Sequence, residues 1–237
     1  MKVQELILER KIKLNIEQIL MDTKNIIPKN LSSEDIGKQY QEMLIMQQLY
    51  NAAIREISTK LEILDEEFQV INSHSPIHHL ESRLKSPSSI VSKLVKKGQP
   101  LDFKSTMKTL TDIAGIRVIC HYIDEIYTIE SLLSKQDDVT IIKKTDYIKN
   151  PKPNGYRSLH LIVSIPVFLS EKVEHVPVEI QMRTIAMDFW ASLEHNIRYK
   201  SNEKVSGKLH ERLKNCAESI ASIDVEMQEI YKELNNK

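Results

Sequence analysis

The sequence predicts an α+β protein, and three patterns carry that prediction. Between Val178 and Arg183, the apolar Val178, Ile180 and Met182 alternate with Glu179, Gln181 and Arg183, a period of two that gives a strand one core face and one reactive face. The stretch before it repeats the pattern, with Leu159, Leu161, Val163, Ile165 and Val167 on one side and Ser158, His160 and Ser164 on the other, so the two read as neighbours in a sheet sharing a polar face. Helical stripes flank this region. Ile36, Tyr40, Met43, Gln47, Tyr50, Ile54, Ile57, Leu61 and Leu64 step by threes and fours, and Leu209, Leu213, Cys216, Ile220, Met227, Ile230 and Leu234 do so near the other end.

Composition sets the outer limits. In 237 residues, 41% hydrophobic and 28% charged content is ordinary for a globular protein that stays in water. The formal net charge is +0, so a polyanion site must come from local clustering of Lys and Arg. Two cysteines, Cys120 and Cys216, disfavour a disulfide scaffold and a zinc-thiolate site. No apolar run approaches membrane-spanning length, and the start MKVQELILERK lacks the hydrophobic segment of a secretory signal, so a cytoplasmic protein without a membrane partner is expected.

In chain order, residues 3–22 read as an amphipathic helix halted near Pro28, which places an N-terminal helical extension at 1–30. Ser32, with Asp35 three residues on, caps the long helix that follows, whose stripe packs on the chain's own core in the first reading and on a second subunit in the alternative. The segment SHSPIHHLESR around Pro76 reads as a connector. Arg83 and Lys85, two apart in extended chain, point the same way; Ser86 is a natural N-cap with Pro87 at the first helical position. A helix opening beside two cations is a polyphosphate cradle, extended one turn by Ser89 and Lys93 at helical spacing, while Lys96, Lys97 and Gly98 close the helix as surface.

Strand signals return over 112–122, DIAGIRVICHY, where Arg117 is the one formally charged residue within the apolar run and takes either an ion-pair partner or a ligand. Simple alternation sets Asp112 and Arg117 on opposite faces, so a shared site requires Asp112 to precede the strand or Gly115 to mark a bulge. Residues 124–135 read as helix and 139–148 as strand. The following KNPKPNGY, with its prolines and Asn154-Gly155 pair, is a fixed basic turn carrying Lys149, Lys152 and Tyr156. Helices are expected over 184–200 and 208–234, the latter within a C-terminal oligomerisation segment, 204–237.

Asp112 and Glu179, at strand ends, can share a Mg2+, which takes oxygen ligands and keeps waters and substrate phosphates in its shell. Carboxylates on a sheet beside a Ser-Pro helix start and flanking cations are what metal-assisted phosphoryl transfer from a nucleoside triphosphate needs. No GxxxxGK[ST] is present, and neither are the kinase DFG and HRD motifs. His121 and the His78-His79 pair lack a third ligand nearby in sequence and read as structural.

Taken together, RLKSPSSIVSKL, DIAGIRV, NPKPNGYRSLH, VEIQMRT and AMDFWASLEH resemble the synthetase domain of the RelA/SpoT alarmone enzymes, over roughly residues 36 to 203, with 31–203 as the domain, and the short length resembles the small alarmone synthetases. The resemblance implies a nucleotidyltransferase-like mixed sheet flanked by helices, and transfer of the β,γ-pyrophosphate of ATP to the ribose 3′-hydroxyl of GTP or GDP. It implies that Arg83 and Arg117 sandwich adenine, that Lys85, Ser89 and Lys93 hold the ATP phosphates, and that Asp112 and Glu179 bind Mg2+, with Glu179 as general base. Tyr156 would stack on guanine, with Asn154, His160, Gln181 and Lys152 lining the acceptor pocket and Lys149 and Arg183 added to that set. A homotetramer, formed because the two helical stripes exceed what one small sheet can cover, and an allosteric (p)ppGpp or single-stranded RNA are also implied. The chain has no His-Asp dipeptide, so synthesis without hydrolysis is expected. Where the family commonly has Asn-Pro-Ile-Glu-His, Ser-Pro-Ile-His-His stands here. The alternatives are a nucleotidyltransferase or kinase on another acceptor, or a regulator that binds guanine nucleotide or RNA without catalysis.

Overall fold

Five strands form one mixed sheet in a computed structural model that describes residues 33–100, 103–200 and 207–235. The expected 1–30 extension lies outside these residues. Their order in the sheet is β1 (Ile77–Leu84), β2 (Ala114–Cys120), β5 (Val173–Thr184), β4 (Leu159–Phe168) and β3 (Thr140–Asp146). Only β2 and β5 run parallel; every other neighbouring pair is antiparallel. The segment read as a connector around Pro76 is therefore an edge strand. Its exposed His78, His79, Glu81 and Arg83 hid the alternation expected of a strand, because an edge strand is held by one neighbour and can stay largely in water.

One sheet face is dry. Ala114, Ile116, Val118 and Cys120 of β2, Val178, Ile180 and Met182 of β5 and the expected row from Leu159 to Val167 of β4 are all buried there. Helices complete this core: α1 (Ser33–Asn72), which lies across β1, β2, β4 and β5; α2 (Pro87–Lys96), which adds Ile90 and Leu94; and, after α3 (Phe103–Thr109), α4 (Ile123–Ser134), with Met187 added from beyond β5. The α1 stripe is spent within the chain. Met46, Leu49, Tyr50, Ala53, Ile54, Ile57, Leu61 and Leu64 are buried, in accord with the first reading of the stripe, while Ile45, Ile63, Val70 and Ile71 of the same helix stay exposed.

The remaining helices are α5 (Ile185–Lys200) and α6 (Gly207–Asn235), which pack on each other. Here the structure corrects the heptad reading: Leu209, Met227, Ile230 and Leu234 are exposed, and the inward positions are Ala217, Asp224 and Gln228. The helix docks through polar bonds, with Thr184 Oγ1 donating to Asp224 Oδ2 at 2.6 Å and Asp124 N donating to Gln228 Oε1 at 2.8 Å. A sequence stripe records which residues are apolar, whereas docking here uses a few buried hydrogen bonds that no apolar period marks.

Candidate active site

The second sheet face is polar because register brings its charged residues into two rows across four strands. Glu81, Arg117, Gln181 and His160 make one row, from β1 through β2 and β5 to β4. Arg83, Gly115, Glu179 and Ile162 make the next. Glycine in the middle of that second row leaves open floor between Arg83 and Glu179. A cleft forms over it, lined by Glu81, Arg83, Lys85, Asp112, Gly115, Arg117, Glu179 and Gln181.

Asp112 precedes β2, the first of the two arrangements under which it could share a site with Arg117, and Gly115 pairs in regular register on both sides without a bulge. Lys85 and Lys93 both donate to Asp112 Oδ2, each at 2.5 Å. Burial works to raise this carboxyl, but the hydrogen bonds of the two lysines, backed by their charges, outweigh it and hold Asp112 below its usual range. The other oxygen, Oδ1, is buried and has no hydrogen-bond partner.

The helix start behaves as its sequence requires. Ser86 is extended and accepts from Ser89 N at 3.3 Å, with Pro87 first in α2. One of the amides expected to be free is therefore taken by the cap itself, and Ser89 Oγ lies 2.8 Å from Ser86 Oγ. Arg117 keeps both of its readings: Nη1 donates to Glu81 Oε2 while the residue lines the cleft beside Arg83.

Glu179 sits at the end of a hydrogen-bond circuit. Arg183 Nη2 donates to Tyr156 Oη at 2.8 Å and to Gln181 Oε1 at 2.9 Å; Tyr156 Oη lies 2.8 Å from His160 Nε2. A carboxylate oxygen can only accept, so a hydrogen on His160 Nδ1 suits the facing Glu179, and Tyr156 Oη and Nε2 share the remaining hydrogen bond. His160 Nδ1 faces Glu179 Oε1 at 3.5 Å, the far edge of hydrogen-bond range, and Gln181 Nε2 donates to Oε2 at 3.2 Å. His160 acts first to hold the Glu179 carboxyl below its ordinary value; burial and the Asp112 charge oppose that, and Gln181 assists it.

Apart from Gln181, which lines the cleft, the acceptor-side residues gather beside it. Lys152 Nζ stands 4.6 Å from the Tyr156 ring centre and 4.5 Å from that of Tyr147. Asn154 is structural in geometry: its Oδ1 accepts from Tyr156 N and its Nδ2 donates to Glu194. Lys149 leaves the group and lies over Tyr127 of α4, 5.1 Å from the ring centre. Sequence reasoning passed over Glu81, Tyr147 and Asp188, which accepts from Arg183 Nη1 at 2.9 Å. Strand alternation from Arg83 would have found Glu81; no local signal marks the other two.

Comparison with known proteins gives the family and the fold. Residues 82–204 match the family described as the region found in RelA / SpoT proteins. The chain is 48% identical over 187 residues to GTP pyrophosphokinase YwaC of Bacillus subtilis (strain 168), covering 79% of this chain and 89% of that one. Its fold matches the crystal structure of small alarmone synthetase 2 from Bacillus subtilis with a TM-score of 0.74 at 46% identity, over 81% of this chain and 99% of that one. It also matches small alarmone synthetase 1 from Bacillus subtilis bound to its product pppGpp, with a TM-score of 0.73 at 36% identity, over 83% and 98% of the two chains. These matches define the class, a nucleotide-handling transferase; the chain belongs to the RelA/SpoT family, among its small alarmone synthetases.

Proposed function

We propose that the protein is a GTP pyrophosphokinase that moves the β,γ-pyrophosphate of ATP to the ribose 3′-hydroxyl of GTP or GDP. The observation that carries this reading is the cleft that holds Asp112 and Glu179 together with Arg83, Lys85 and Arg117. The buried, partnerless Asp112 Oδ1 fits a Mg2+ ligand, with Glu179 as the other, and the ion when bound supplies neutralisation of charge on the transferring phosphates. Lys85 and Lys93 exchange part of their hold on Asp112 for phosphate oxygens, with Ser89 beside them at the start of α2. Arg83 and Arg117 project from adjacent strands to take the adenine between their guanidinium planes.

On the acceptor side Tyr156 offers its ring to guanine once Lys152 swings aside, and His160 and Gln181 orient Glu179. The 3′-oxygen forms a bond to the β-phosphorus and gives its proton to Glu179, while the bond from that phosphorus to the α,β-bridging oxygen breaks and AMP leaves with the electron pair. A carboxylate held below its usual value is ionised at neutral pH, which leaves its oxygen open to the proton while making it a weaker base than an ordinary glutamate.

We place the activity in the cytoplasm, where ATP and GTP are abundant; both cysteines are free, and no described helix is long and apolar enough to cross a membrane. A homotetramer is supported by the exposed Phe189, Leu193 and Ile197 of α5 and Met227, Ile230 and Leu234 of α6, with (p)ppGpp or single-stranded RNA as candidate regulators. Incubation with γ-labelled ATP and GTP, GDP or GMP tests the central reading: a labelled guanosine 3′-pyrophosphate is expected, and label released only as free phosphate overturns it.

A further inference from the structure

A second cluster of ligating side chains stands at the opposite end of β2 from Asp112. His74 follows α1, His121 follows β2, and Glu125 lies in the first turn of α4, and one ligand atom from each falls within 4.8 Å of the other two. Glu125 is held firmly, since its Oε2 accepts from His121 N at 3.1 Å and Tyr122 N at 2.9 Å. Its remaining oxygen, Oε1, meets His74 Nε2 at 2.6 Å. His121 Nδ1 is buried and has no hydrogen-bond partner.

A plain His74–Glu125 hydrogen bond would explain two of these residues and leave the third as a buried nitrogen with nothing to bind. The sequence reading treats His121 as structural for want of further ligands; the fold supplies two. We propose that His74, His121 and Glu125 form a binding site for a divalent transition metal of the zinc class, distinct from the catalytic carboxylates. Two imidazoles and one carboxylate suit Zn2+, whereas Mg2+ prefers oxygen throughout.

Tetrahedral coordination at about 2.0–2.2 Å sets donor atoms about 3.4 Å apart, so the ion would open the short His74–Glu125 contact and draw His121 inward. The two amides on Glu125 Oε2 are the outer shell that such sites use to fix a carboxylate. A water would take the fourth position, and the ring of His78 stands near, 5.4 Å from that of His121 between centres. The seven residues of β2, at about 3.3 Å each, separate this site from Asp112 by on the order of 25 Å.

Such an ion would tie the ends of α1 and β2 to the start of α4, beside Tyr122, on which Tyr231 of α6 stacks with 4.1 Å between ring centres. Its role is a fastening for the C-terminal helix.

The test is titration of the full chain, purified without a histidine tag and stripped with EDTA, with Zn2+ and Co2+ in excess Mg2+. One equivalent should bind, Co2+ should show tetrahedral visible bands, and Zn2+ should raise the thermal midpoint. His74→Ala and His121→Asn should each weaken binding more than tenfold and remove the bands, whereas Asp112→Asn should keep them. Absence of stoichiometric binding by the unmodified chain at micromolar protein overturns the proposal without recourse to any variant. Unchanged Zn2+ affinity in a folded His121→Asn chain overturns it equally.

Discussion

Gln181 Nε2 donates to Glu179 Oε2 at 3.2 Å from two positions along the same strand, so the glutamine fixes one oxygen of the carboxylate and leaves the other to His160. Replacing Glu179 by glutamine keeps the shape and removes the charge. Glu179→Gln should lower the turnover number by at least about 10²–10⁴, the usual worth of a positioned base. The neighbouring Val178 and Ile180 hold the strand in the core, so the thermal midpoint should move by no more than about 4 °C. Retention of more than about a tenth of the rate would reassign the proton acceptor.

Asp112 predicts an acid limb in stability. Its carboxyl is held below its ordinary value, so the unfolded chain binds the proton more readily than the folded one and stability rises with pH through that window. The contribution is complete above the ordinary value of about 3.9 and is lost as pH falls through the folded value. In EDTA, Asp112→Asn should be less stable than the parent at pH 7, with Lys85 and Lys93 left facing a neutral group. The difference should narrow below about pH 4. Denaturant midpoints at both pH values check it, and the same variant should need more Mg2+ for activity.

Tyr156 separates ring from hydroxyl. Tyr156→Ala should weaken GTP or GDP binding by about 1–3 kcal/mol, roughly fivefold to a hundredfold or more, and ATP by much less. Tyr156→Phe keeps the ring but drops the oxygen between Arg183 and His160, so it should lower the turnover number with little change in KM for GTP. Equal weakening of both nucleotides by the alanine variant, measured calorimetrically, would place the ring outside the acceptor pocket.

Gly155 has φ +90, and a Cβ on it would lie 2.5 Å from Ala217 Cβ in α6. Gly155→Ala should cost about 1–3 kcal/mol through strain and overlap. Adding Ala217→Gly should return the overlap part and leave the backbone part, which a double-mutant cycle by chemical denaturation resolves.

The central strands and the long first helix were legible because burial repeats with a fixed period, and β2, β4, β5 and α1 obey it. Tyr156, His160 and Glu179 carried a chemical signal of their own, their spacing relative to an Asn-Gly turn and an alternating strand. What stayed illegible depends on pairs distant in sequence. The β1 edge strand and the polar docking of α6 through Asp224 and Gln228 are each decided by a partner that no local period names. The His74, His121 and Glu125 cluster belongs to the same class, since three separate elements contribute one residue each.

The parallel pairing of β2 with β5 has a consequence for the order in which the protein is made. Gly115 lies opposite Glu179, yet α4, β3 and β4 all intervene in the chain, so the centre of the sheet closes last. A growing polypeptide that has displayed Asp112, Lys85 and Lys93 still lacks the strand bearing Glu179. The lysines for the triphosphate are therefore synthesised before the strand that bears the base, and the site is complete only with β5 lying between β2 and β4.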